Sequence, residues 1–404
     1  MAMATASSLL PPCLTRIDPD AMLARTLDWA AVNSGTGNLD GLSRMADKLV
    51  AAFAALPGDI ALIEPEAVDA MAPDGALRPV GHGRHLHLRV RPQAPVQLLF
   101  TGHMDTVFAA DHAFQSCRWL PDGKLNGPGV ADMKGGLSLL LEALLAIEHD
   151  PRAQTIGYDV MINSDEETGS ASSRQLIARL SAGKAAALTY EPALPDGTLA
   201  GARAGSGNFS IRVTGRSAHA GRNPDDGRNA IVAASDIALR LKQASGGTLS
   251  CNPARIDGGA PNNMVPDHAI LRVNFRPHQP ADEERARTLV DQVTAQVARE
   301  HDVGVHVHGG FGRPPKPIDP AAERLFALVR DQGRALGLDL SWKATGGVCD
   351  GNNIAACGVP VVDTMGARGG AIHSEEEFLI VESLEERAKL SALTILALAD
   401  GGAA

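Results

Sequence analysis

Residues 98–108 read LLFTGHMDTVF. A compact apolar run stops abruptly, and His103 and Asp105 follow it two residues apart. The run has the length and texture of a strand buried on both faces, as parallel strands are. Open α/β sheets place their sites where such strands end. In a His-x-Asp pair at a strand end the two side chains point the same way. Asp105 is therefore expected to orient the His103 imidazole so that its other nitrogen faces a metal. A single His-x-Asp is more often polar surface sequence, so the neighbours decide.

Outward from this stretch, helical and strand patterns alternate. Residues 39–56, 133–149 and 172–180 repeat apolar positions at helical spacing, while 155–163 and 185–190 are short apolar strands. This order predicts an α/β fold: a domain with a mostly parallel central sheet flanked by helices. Near residue 205 the texture changes. Strand patterns at 207–215, 247–258, 268–277 and 303–311 and helical patterns at 227–244 and 281–300 follow in the order β-α-β-β-α-β. That order is the ferredoxin-like split βαβ unit. The expected organisation is a discontinuous catalytic domain, 1–204 and 314–404, with an inserted lid and dimerisation domain over 205–313. GRPPKPIDP, residues 312–320, is the expected return linker. An edge strand of the inserted unit free to pair with its twin predicts a homodimer.

Composition narrows the function classes. The 404 residues carry 37 basic and 47 acidic side chains, a formal charge of −10. That balance gives no general attraction to nucleic acid or anionic membranes. The five Cys are scattered without C-x-x-C spacing and read as reduced thiols. The first twenty residues lack the basic region and long apolar core of a secretory signal. No apolar run approaches the ~18 residues that span a bilayer. A soluble, cytoplasmic protein is expected.

Four further segments deliver acids or imidazole. Asp132 follows a Gly-rich loop in NGPGVADMKGG, and Asp165, Glu166 and Glu167 follow an apolar strand in NSDEETGS. Glu191 ends another strand in LTYEPA, and His373 lies in GGAIHSEEEF. Each has a plain alternative: a helix cap for Asp132, a solvated turn for the acid run, stray surface groups for the other two. Together they put a His or carboxylate at nearly every strand end on one edge of the sheet. Mixed nitrogen and oxygen donors without Cys suit zinc or a related divalent ion, and the count suffices for two. Two ions ~3.5–4 Å apart need a bridging carboxylate, for which Asp132 is the natural candidate.

The set GHMDTV, GVADMKGG, NSDEETGS, YEP, GRSAHAG and AIHSEEEF resembles the family of bacterial glutamate carboxypeptidases, acetylornithine deacetylases, succinyl-diaminopimelate desuccinylases and aminoacylases. The resemblance runs from about residue 20 to residue 398, closest to the glutamate carboxypeptidase branch through DEETGS, GRSAHAG and FGRPPKP. It implies two Zn²⁺, or Co²⁺ or Mn²⁺ in their place. His103 and Glu191 would hold one and Glu167 and His373 the other, with Asp132 bridging. Asp105 would orient His103, and Glu166 would be the general base acting on a metal-activated water. His219 in GRSAHAG would support the oxyanion, often across a dimer interface. Asn263 would contact substrate, and Arg276 and Arg313 would meet its carboxylate. The implied reaction is cleavage of an amide beside a free carboxylate, in an N-acyl amino acid or short peptide. The alternative is an N-acyl-amino-acid deacylase. A non-catalytic binding module would be expected to lack Glu166 or some ligands. A nucleotide-binding oxidoreductase is disfavoured because GVADMKGG and GARAGSGNF lack G-x-G-x-x-G spacing. Cys349 stands where many relatives carry Thr or Ser; no dedicated His partner marks it as a nucleophile.

Overall fold

The structure, a computed structural model, describes residues 10–402. Residues 1–9, on which part of the expectation for the N-terminal segment falls, lie outside the described residues. The central sheet has six strands in the order Asp59–Ile63, His85–Val90, Ile156–Asn163, Val96–His103, Ala186–Thr189, Val361–Val362. The last four run parallel to one another, and the first two form an antiparallel edge. Every residue of Ile156–Asn163 is buried, as is the whole of Val96–His103 beyond its first two residues. That is the expected texture of strands covered on both faces.

Crossovers through helices Gly135–Ile147 and Arg174–Ser181 connect these strands. The first helix is buried at 12 of its 13 positions. It packs close to the strand that ends at Thr189: a Cβ on Gly136 would lie 2.2 Å from the Tyr190 carbonyl oxygen. Register matters most for function. His103 pairs with Asn163, and Thr101 with Thr189. The strand ends at 103, 163 and 189 therefore finish side by side at one edge.

Two departures from the sequence reading have local causes. The strands Asp59–Ile63 and His85–Val90 and the helix Pro19–Ala30 are additional elements. Asp59–Ile63 is only half covered and shows no clean alternation, while the helix announces itself through Asp18, whose Oδ1 accepts from Asp20 and Ala21 N–H at 3.0 Å each. The 312–320 segment is less of a linker than expected. The preceding strand, Gly304–Arg313, runs into it, and Pro320 opens the helix Pro320–Ala335. Proline is tolerated at a first helical position because its missing N–H would be unpaired there anyway.

The unit between these points is a four-stranded antiparallel sheet, ordered Leu249–Gly258, His268–Pro277, Ser206–Thr214, Gly304–Arg313. Helices Ala230–Ala244 and Pro280–Glu300 cover one face over a core that includes Ile211, Ile237, Phe275 and Val297. The opposite face is polar and receives a hairpin, Val68–Met71 with Leu77–Val80. Four side chains of the face donate to its main-chain carbonyls: Arg272 to Met71 at 2.7 Å, Arg212 to Gly75 at 3.1 Å, His268 to Pro73 at 3.1 Å and His308 to Asp69 at 3.2 Å. The two chain connections into the unit pair with each other, Arg203 with Lys316, through N–H···O bonds of 2.9 and 3.0 Å. Both side chains also reach the buried Asp363 carboxylate at 2.8 Å.

No helix among the described residues is long and apolar enough to cross a membrane. One ion cluster tests the sheet itself. Asp159 is buried in the strand Ile156–Asn163 between His87, 2.6 Å away, and Lys184. Burial opposes its ionisation, but the His87 and Lys184 contacts prevail and hold its pKa below the ordinary value. A depressed carboxyl stabilises the fold above its unfolded pKa of ~3.9 and loses that contribution as pH falls through the folded value. Asp159→Asn strands the buried Lys184 and is expected to cost about 3–5 kcal/mol near neutrality. Thermal unfolding measured down to about pH 3 should show the gap to wild type closing in acid. A constant gap would mean that the charge of Asp159 contributes nothing.

Candidate active site

At the shared strand edge, His103 closes its strand with its imidazole 1 % exposed. Its Nδ1 donates to the main-chain carbonyl of Asp105 at 2.9 Å, with the Asp105 carboxylate at 3.4 Å. This differs from the sequence expectation in which group of Asp105 orients the ring. The carbonyl is the nearer acceptor. The carboxylate serves mainly as a clamp, accepting from Glu166 N–H and Glu167 N–H at 3.2 Å each and from the Thr36 hydroxyl at 2.8 Å. With Nδ1–H committed, a neutral His103 presents the Nε2 lone pair to the cavity side.

That Nε2 lies 3.0 Å from Asp132 Oδ1 and 3.7 Å from Glu191 Oε2. On the other side of Asp132, His373 Nε2 lies 3.3 Å from Oδ2 and 3.1 Å from Glu167 Oε2. The structure thus brings His103, Asp132 and Glu191 into one triad, and Asp132, Glu167 and His373 into a second. Within each, the ligand atoms lie within 4.8 Å of one another. Asp132 belongs to both, one oxygen to each. One imidazole and two carboxylates per triad, without thiolate, is a donor set that fits a borderline or hard divalent ion.

Electrostatics agree with a place built for cations. Burial pushes the Glu191 pKa up, opposed by His103, and pushes Glu167 up to about 7 with help from the Asp132 charge. Burial also opposes ionisation of Asp132, but hydrogen bonds with His103 and His373 hold it below the usual carboxylate range. His373 is raised to about 10 by its bonds to Asp132 and Glu167. His103 is raised despite its burial, chiefly by Glu191. Carboxylates clustered around two imidazoles make a negative site that a dication would neutralise.

Glu166 belongs to neither triad. It follows the same strand end, is 7 % exposed, and lines the same cavity as Asp132, Glu167, Glu191 and His373. Adjacent residues project differently, which leaves Glu166 free while Glu167 faces His373. Burial pushes its pKa well up, with Arg313 opposing. Arg313 Nη2 donates to Glu166 Oε1 at 2.6 Å, to the Glu166 carbonyl at 2.8 Å and to the Ser170 hydroxyl at 3.0 Å. The arginine expected to meet a substrate carboxylate therefore sits on the carboxylate of the chain itself. Arg276 also lines the cavity. Its Nε is held by Asn274 at 2.8 Å, and no carboxylate pairs with it among the described residues. The cavity measures about 1140 Å³, room for a ligand of small-molecule size.

His219 and Asn263 are not brought to this cavity. They sit together on an exposed ribbon of the inserted unit, where Ala220 N–H donates to the Asn263 carbonyl at 2.9 Å. His219 Nδ1 accepts from Gly221 and Arg222 N–H at 3.1 Å each. Cys349 is buried at the cavity wall, its Sγ accepting from Gly351 N–H at 3.3 Å. Burial pushes its thiol pKa well up, the opposite of what a nucleophile needs.

Sequence reasoning missed Glu377. It is 1 % exposed, and its carboxylate accepts from Gly129, Ala131 and Asp132 N–H at 3.1, 2.9 and 3.0 Å. The available signal was a third acid in HSEEEF with no ligand role to fill.

The model of peptidase family M20/M25/M40 matches residues 99–397. Carboxypeptidase G2 of Pseudomonas sp. (strain RS-16) is 29 % identical over 322 residues, 78 % of this chain and 76 % of the relative. Succinyl-diaminopimelate desuccinylase of Delftia acidovorans is 26 % identical over 309 residues, 71 % and 78 % of the two chains. The crystal structure of a tripeptidase from Staphylococcus aureus superposes with a TM-score of 0.73 at 24 % identity, covering 95 % of this chain and all of that one. The match over residues 99–397 contains every residue of both triads, and the chain belongs to peptidase family M20/M25/M40, as a metallohydrolase.

Proposed function

We propose that the chain is a two-zinc hydrolase that cleaves an amide bond next to a free carboxylate, a glutamate-type carboxypeptidase acting on N-acyl amino acids or short peptides. The observation that carries this is Glu166, a buried carboxylate that shares the cavity with both triads and belongs to neither. His103, Asp132 and Glu191 would hold one ion, and Asp132, Glu167 and His373 the other. Bound zinc polarises a carbonyl and lowers the pKa of water to roughly 7. Glu166 takes the proton of the attacking water and returns it to the leaving nitrogen, which makes it base and then acid. Its burial favours the protonated form that the second step needs. Asp105 fixes the main chain of Glu166 and Glu167 and the ring of His103 together. Arg276, which lines the cavity and has no carboxylate partner among the described residues, is the reader proposed for the substrate carboxylate; a guanidinium matches that group bidentately.

Residues 205–313 act in this reading as a lid and dimerisation domain. Its strand Leu249–Gly258 is an open edge of the inserted sheet, which suits pairing with a second copy. His219 and Asn263, exposed and away from the cavity of their own chain, would then serve the partner's site. The proposed location is the cytoplasm, and neither nucleic acid nor membrane is a proposed partner.

An N-acyl-amino-acid deacylase would use the same residues and differ in which side of the amide the cavity prefers; the desuccinylase relative favours this second reading. Hydrolysis of a panel of N-acyl amino acids and dipeptides by the zinc-loaded protein separates the two. Variation of kcat/KM with the C-terminal residue at a fixed acyl group supports the carboxypeptidase; variation with the acyl group supports the deacylase. Two zinc ions bound with no turnover on any member would refute the substrate class.

A further inference from the structure

The loop that presents His373 also carries Glu377, and Glu377 does not line the cavity. Its three accepted bonds all go to one short segment: Gly129 donates to Oε2, Ala131 and Asp132 to Oε1. Three N–H groups converging on one point need an acceptor with several lone pairs and no hydrogen of its own, and a carboxylate is that group. The tie is reinforced from the other direction. Asn126 Nδ2 donates to the carbonyls of Glu375 at 2.9 Å and Glu377 at 2.7 Å. The Asp132 turn and the His373 loop, 241 residues apart by their numbers, are thus fastened as one piece.

The two triads depend on this fastening unequally. His103 ends one buried parallel strand and Glu191 lies just beyond another, and the central sheet sets the register of both. Glu167 is held through its own N–H by Asp105. Among the described residues no such bond holds the His373 main chain; its side chain is 53 % exposed and its backbone lies in the left-handed region at φ 64°. Non-glycine residues adopt that region only where the surroundings impose it.

We propose that Glu377 is the positioning residue of the second triad: by fixing Asp132 relative to His373 it sets the affinity of the Asp132–Glu167–His373 triad for its ion, and leaves the His103–Glu191 side nearly untouched. The proposal rests on the two-metal reading. His103 and Glu191 are placed by the register of the central sheet and not by Glu377, which is why the first triad is spared. Groups that orient metal ligands from outside typically carry 10–100-fold in metal affinity.

The test is titration of the metal-free full-length protein with Co²⁺ alone, followed by visible absorption and calorimetry, for wild type, Glu377→Ala, Glu377→Gln and His373→Ala. Expected for Glu377→Ala is one ion weakened by ~10–100-fold and the other held within about threefold. Glu377→Gln keeps one acceptor oxygen but sets an NH₂ against a main-chain N–H, so it should fall between. The weakened ion should be the one lost in His373→Ala, and the double variant should lose little beyond His373→Ala, as coupled residues do. A general loosening of the fold would weaken both ions alike, and that result overturns the proposal. So does an unchanged titration of Glu377→Ala. Should Glu377→Ala not fold, Glu377→Gln carries the same comparison. Failure of wild type to take up two ions would instead overturn the two-metal reading, and with it this inference.

Discussion

Glu166→Gln is expected to bind two metal ions as wild type does and to lose about 10²–10⁴ in kcat/KM, the usual contribution of a positioned base. At 1.36 kcal/mol per decade this is about 2.7–5.4 kcal/mol of barrier. The substitution is nearly isosteric, and an amide oxygen can still accept from Arg313 Nη2, now 2.6 Å from Glu166 Oε1. No ligand is removed, since neither triad contains Glu166. The loss should therefore appear in kcat with metal content unchanged. Kinetics and elemental analysis on one preparation decide it. Activity within tenfold of wild type would assign the proton to another group, and loss of metal would make Glu166 a ligand.

Asp132→Ala should have a broader effect. Every other member of the two triads belongs to one of them, whereas Asp132 gives one oxygen to each. Its removal takes a donor and a negative charge from both, and affinity for both ions is expected to fall more than 10²-fold, beyond what a single orienting group carries. His103→Ala should weaken one ion only. A bound ion adds about 2.7 kcal/mol of stability at 100 times its Kd, so zinc should raise the melting temperature of wild type and leave that of Asp132→Ala nearly fixed. A variant that still binds one ion tightly would mean that Asp132 is not shared.

The legible parts of the molecule were those written in residue type and period. Ile156–Asn163 and Val96–His103 are mostly apolar runs, and the clustered acids that follow them are out of character with what precedes. The inserted unit was legible because its strands alternate and its helices carry charges on one face. Relationships made through main-chain atoms were hidden. Nothing in the letters HSEEEF says that the third acid faces three N–H groups 245–248 residues away. Nor does His-x-Asp say that the aspartate carbonyl, not its carboxylate, is nearest to the ring. The Arg313–Glu166 pair bridges 147 positions and needed the sheet register before it could be seen. The hairpin at 68–80 was missed because both of its strands are largely exposed and carry no alternation to read.

That hairpin has a mechanical consequence. The inserted unit joins the rest of the chain at a single covalent corner, where Arg203 and Lys316 pair and share Asp363. The unit could swing about that corner only by breaking the bonds that cross to the rest of the chain, Arg313 to Glu166 and Ser170 among them. The hairpin is a catch on its polar face, made of four side-chain bonds to carbonyls. At about 0.5–1.5 kcal/mol net per bond, a swing that leaves the hairpin behind costs about 2–6 kcal/mol. A swing that carries the hairpin along breaks none of them. Any such swing is cheapest with the hairpin carried along, and Val68 and Asp69, which line the cavity from that hairpin, would then travel with the inserted unit rather than with the two triads.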